Sequence, residues 1–104
     1  MTETPIAERH LLFSEKGETT RKPLVIRIFA PQVVDPASVS FEVVDGTAVC
    51  RVEFDGIPDQ APIDTYGADS LQALQLASDI EPVLQRLSRR YDLYYPTGEG
   101  YFDE

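Results

Sequence analysis

The chain is poor in the residue types from which most chemical sites are built. Its 104 residues include one cysteine, one histidine, one methionine and no tryptophan. With Cys50 alone, no intramolecular disulfide can form, which fits a reducing compartment. One Cys and one His cannot make a structural zinc site. His10, in an expected strand, has no acid–nucleophile partner at a telling distance, so it reads as an ordinary strand residue. No glycine-rich phosphate loop is present. Residues 1 to 9 lack the apolar core of a signal peptide, and no apolar run approaches the ~18 residues needed to cross a bilayer. These absences predict a cytoplasmic protein that is not an enzyme and carries no cofactor or metal.

Basic charge is also scarce. Eighteen acidic side chains stand against nine basic ones, for a formal net charge of −9. Phosphate backbones and anionic lipid surfaces repel such a chain, so neither nucleic acid nor membrane is an expected partner. A partner protein with a basic surface is the natural complement, although the same charge also serves solubility. The excess is uneven. Residues 31 to 81 hold ten acids and one base, Arg51, whereas residues 1 to 30 hold four acids and five bases.

Apolar and charged fractions are those of a globular protein, and the length is one domain's worth. Residues 1–104 are therefore read as one domain, with 97–104 as a mobile acidic tail. Ile6 to Phe13 reads as a strand. In Leu24 to Ala30 the alternate residues Leu24, Ile26 and Ile28 form one apolar face, and Pro31, which has no N–H for a ladder, ends that strand. Residues 31 to 38 read as loop. Asp45-Gly46 is a preferred pair for a two-residue hairpin turn. It would set Val43 against Ala48, Phe41 against Cys50 and Val39 against Val52, with Ser40, Glu42 and Arg51 on the other face. Cys50 then falls on the core side as an inert thiol. Ile63 to Tyr66 and Tyr91 to Tyr95 read as further short strands.

The helix signal starts at Asp69, an N-cap residue with Gln72 three positions on, the spacing of a capping box. Leu71, Ala73, Leu74, Leu76, Ala77, Ile80, Val83, Leu84 and Leu87 recur at helical spacing as a broad buried stripe. Arg86, Arg89 and Arg90 suit the C-terminal end. Pro82 predicts a kink, or two helices meeting near Asp79-Ile80-Glu81. The expected fold is α+β: an antiparallel sheet of about four to five strands, with one long C-terminal helix packed on one face.

The segment Gly67-Ala68-Asp69-Ser70-Leu71-Gln72-Ala73-Leu74-Gln75-Leu76-Ala77 resembles the main-helix start in a family of small bacterial proteins of unknown function. There the pattern runs Gly-x-Asp-x-(apolar)-Gln-Ala-Leu-x-Leu-Ala. Ile6-Ala7-Glu8-Arg9 is similar to the same family's opening. The resemblance implies a bacterial cytosolic protein with strands preceding a helix, and brings no activity or site residues.

Three functions from different classes follow. The first is a small acidic protein-binding module, of which an immunity-like or antitoxin-like inhibitor is one form. The second is a self-associating structural or assembly protein that uses an edge strand or the aromatic tail. The third is a small-ligand protein or enzyme that uses acids near the helix start. The candidate interaction residues are Asp64, Asp69 and Gln72, together with Tyr101 and Phe102, which are large aromatics of the kind enriched at interfaces. Asp55, Asp59 and Asp64 lie in or beside one loop, but their spacing does not match a calcium-binding loop.

Overall fold

A computed structural model describes residues 4–35 and 46–102. Its architecture is α+β. Six antiparallel strands form one sheet: β1 (Pro5–Glu15), β2 (Lys22–Phe29), β3 (Gln32–Val33), β4 (Ala48–Asp55), β5 (Ile63–Gly67) and β6 (Tyr91–Tyr94). A broken helix, α1 (Ser70–Ser78) and α2 (Glu81–Leu87), joins β5 to β6 and packs on one face. The strand order is β3-β4-β2-β1-β6, with β5 also paired to β4. No helix among the described residues is long and apolar enough to cross a membrane.

The two-residue period of β-structure sorts the side chains. Leu24, Ile26 and Ile28 of β2, Ala48, Cys50, Val52 and Phe54 of β4, and Tyr91 and Leu93 of β6 are buried in one core with Leu11 and Phe13 of β1. The helix contributes Ala73, Ala77, Ile80, Leu84 and Leu87 to that core. The opposite face carries Glu8 and Arg27 in register, then Glu53 beside Arg27, then Arg51 beside Asp64. Charges of alternating sign on directly opposed positions stabilise such a face.

The sheet has more strands than the sequence suggested, because the loop expected at 31–38 includes β3. Along one edge of β4, Ile28 sits opposite Val52 and Gln32 opposite Val49. Residues 29–31 on that side therefore face only Cys50 and Arg51, which makes a bulge. Pro31, without an N–H, is tolerated in it. β2 and β3 are thus one strand line interrupted by the bulge. Two residues after a proline are too few to show a period in sequence.

The described partners of the second hairpin strand are other parts of the chain. Residues 39–44 and Asp45 lie outside the described residues. Ala48 pairs with Val33 on one side and Gly67 on the other, and Val52 with Ile28 and Ile63. Cys50 lies opposite Thr65. Among the described residues, the neighbours of β4 are therefore β2, β3 and β5.

Helix α1 starts as its sequence demands. The Asp69 carboxylate accepts from the Gln72 N–H at 2.8 Å, and Gln72 Oε1 accepts from the Ala68 N–H at 2.6 Å. The cap thus satisfies one of the helix's orphan donors, the Gln72 N–H, while the Gln72 side chain reaches back to the N–H of the residue before the cap. Gly67 allows the close docking, since a Cβ there would lie 2.4 Å from the Ala73 nitrogen. The helix does break before Pro82. α1 ends at Ser78, Asp79 and Ile80 form the joint, and Pro82 occupies the first turn of α2, where its missing N–H has no helical partner to lose.

Candidate functional site

The sequence-chosen residues do not gather in one place. Asp64 points to the face away from the helix, where its carboxylate holds Arg51 Nε at 3.0 Å. Asp69 and Gln72 sit at the start of α1, engaged in the cap just described. Tyr101 and Phe102 are together, in the segment that follows β6. The chain after β6 turns back, the Tyr95 N–H donating to the Glu99 carbonyl and the Tyr101 N–H to the Leu93 carbonyl. To Phe102, the segment read as a tail therefore lies along β6. Tyr101 and Phe102 meet edge to face at 4.9 Å and pack against the core, with Tyr95 5.0 Å from Tyr101.

Tyr101 also closes a polar clasp. Its hydroxyl donates to Glu81 at the start of α2 and accepts from Arg9 of β1 at 2.8 Å, while Arg9 lies 3.3 Å from the same carboxylate. Loss of solvent first, and the hydrogen bond to Glu81 second, push the Tyr101 phenol up to about 12.

The other acids divide among separate arginines. Asp55 holds Arg27 at 2.9 Å, Asp59 holds Arg90 at 3.0 Å, and Asp64 holds Arg51. Asp59 also accepts from the Tyr91 hydroxyl at 2.7 Å, a bond that raises the Tyr91 phenol above its ordinary value. Three carboxylates near one another in sequence are therefore directed to three different cations, and none is oriented toward a shared ion.

What the sequence did not single out is an apolar groove between β5 and the elbow of the broken helix. Val52, Phe54 and Ile63 form its floor, Leu76, Ile80 and Val83 its helical wall, and Asp79 its rim. Its volume is about 90 Å³, which suits one aliphatic side chain; small-ligand sites run to about 300–1,000 Å³. Leu76, expected in the buried stripe, is 52% exposed on this wall, and Leu71, 62% exposed, points away from the sheet. The signal was present in the spacing. Ala73, Ala77, Ile80, Leu84 and Leu87 fall in one narrow arc of a helical projection, Leu76 flanks it and Leu71 lies opposite. Small Ala73 and Ala77 bring α1 down onto the sheet and leave the larger leucines outside.

Comparison with family models, with curated proteins and with solved structures gives no match. The functional reading rests on the geometry.

Proposed function

We propose that this protein is a protein-binding module that seats an apolar side chain of a basic partner in the groove beside Leu76. The exposure of Leu76 over an apolar floor carries the reading. An exposed aliphatic side chain beside a concave apolar surface extends the apolar area that a partner's side chain can cover. The charge around it selects the partner. No Lys or Arg occurs between Arg51 and Arg86. Asp79 stands on the rim with no ion pair among the described residues, and Asp69 lies one helix length away. Lysines or arginines flanking the partner's anchor complement this flank.

Self-association through a sheet edge has less support. Pro5 to Leu11 of β1 pair on one side only among the described residues, but that edge carries a bulge near Ile6 and the polar run Glu8-Arg9-His10. Bulges and charges are how proteins keep edges from pairing. The aromatic residues that could mediate assembly, Tyr101 and Phe102, are half-buried against the core. A catalytic reading has less still, since Asp69 and Gln72 are used by the cap and Asp64 lies on the other face.

The test is affinity capture from cell lysate at low and high salt, run in parallel with the wild type and a Leu76→Asp variant. The expected result is one stoichiometric basic protein that is lost at high salt and lost with the variant. A partner held equally by wild type and variant, or no partner at either salt, overturns the reading.

A further inference from the structure

A second concavity lies at the other end of the core, between the turn that joins β1 to β2 and the loop that follows β4. It measures about 340 Å³, within the range of small-molecule sites. Phe13, Ile57 and Tyr91, all buried, supply apolar walls, and Glu15, Glu18 and Lys22 supply charge.

The walls are held in place by local structure. The Glu18 N–H donates to the Glu15 carbonyl at 3.0 Å, closing the turn. Lys16 pairs with Asp92 at 3.0 Å, and Arg21 lies 3.8 Å over the Tyr94 ring and donates to the Gly98 carbonyl. These contacts tie the turn to β6 and the segment after it. Across the cleft, Gly56 brings the loop against β2, since a Cβ there would stand 2.2 Å from the Pro23 oxygen. Asp59, held by Tyr91 and Arg90, fixes the rest of that loop. The site is therefore preformed, which lowers the ordering cost of binding.

The charges divide cleanly into two sets. Lys16, Arg21, Arg90, Asp59 and Asp92 around the cleft are committed to structural contacts. Glu15, Glu18 and Lys22, which line it, make no ion pair among the described residues. Two carboxylates and one ammonium beside an apolar wall complement a ligand that carries one cation, one anion and an apolar group.

We propose that this cleft binds a small zwitterion of the amino-acid class with an apolar side chain. The ligand's ammonium lies toward Glu15 and Glu18, its carboxylate on the Lys22 ammonium, and its side chain on Phe13, Ile57 and Tyr91. The two carboxylates alone would accept any small amine; Lys22 adds the requirement for a carboxylate. The site is separate from the groove beside Leu76 and stands or falls independently of the protein-binding reading.

The experiment is a titration of the isotope-labelled full chain, followed by amide chemical shifts. The probes are L-leucine, L-phenylalanine and two matched controls: isoamylamine, which lacks the carboxylate, and isocaproate, which lacks the amine. Saturable shifts around Glu18, Lys22 and Gly56 with the amino acids are expected, with each control about tenfold weaker, as loss of a charged hydrogen bond implies. A Lys22→Gln variant, altered only at an exposed side chain, is expected to bind leucine no better than isoamylamine. The absence of saturable shifts with both amino acids overturns the proposal. So does equal binding of amine and amino acid by the wild-type protein.

Discussion

At Cys50 the buried face of β4 meets the bulge between β2 and β3. The thiol is fully enclosed and donates to the carbonyl of Phe29, the last residue of β2 before the bulge, at 3.2 Å. Burial pushes its pKa up, which suppresses the thiolate and makes it an inert core residue. Gly56 is the other position where a single atom decides the local structure. Its φ of 109° lies where side chains are strained, and a Cβ would press on the Pro23 carbonyl, which is backbone and cannot swing away. Gly56→Ala is expected to lower stability by about 3 kcal/mol, combining backbone strain with forced movement of β2. Urea denaturation of the two proteins measures this. A loss below about 0.5 kcal/mol, the range of ordinary surface changes, would mean that the loop relaxes freely and does not fix the cleft wall.

Element by element, local patterns carried their information well, and non-local pairing did not. The alternation in β2 and β4 placed Leu24, Ile26, Ile28, Cys50, Val52 and Phe54 on the core side, where they are. Asp69 and Gln72 announced the helix start, and Pro82 its break. Asp69→Ala is expected to cost about 1 kcal/mol, the usual worth of an N-cap. The accompanying change is faster hydrogen exchange at the Gln72 amide, which loses its acceptor. If that amide exchanges unchanged, the cap is not holding the first turn. The partners of β4 were not legible, because a strand's pattern fixes which face it buries and says nothing about which strand lies beside it. A turn signal made the sequence neighbour the obvious choice, yet β4 is flanked by β2 and β5. The groove was obscured for a related reason. Nine apolar residues at helical spacing suggest one continuous buried stripe, but a sheet contacts only part of a helix's circumference. Ala73 and Ala77 take that contact, which leaves Leu76 and Leu71 in water.

Across the whole molecule, folding mixes charges that the sequence keeps apart. The acid-rich stretch from 31 to 81 receives Arg9, Arg27 and Arg90 from outside it, through Glu81, Asp55 and Asp59. Exposed pairs of this kind add little stability, so their main effect is to direct where the acidic field remains, as at Asp79. The clasp of Arg9, Glu81 and Tyr101 joins three regions: the first strand, the start of α2 and the chain after β6. It also gives an alkaline signature. An unfolded tyrosine ionises near pH 10, whereas Tyr101 in the fold ionises at about 12. The folded state holds this proton more tightly, first because the phenol loses solvent and then because Glu81 accepts from it, so the stability linked to the protonated phenol is complete below pH 10 and is lost as pH rises from 10 through 12. The urea midpoint of the wild-type protein is therefore expected to fall across that window. Tyr101→Phe should show a shallower fall, with a residual slope from Tyr91, whose phenol is raised by Asp59. Identical slopes in the two proteins would show that Tyr101 ionises alike in both states, and that the clasp does not couple the C-terminal segment to folding.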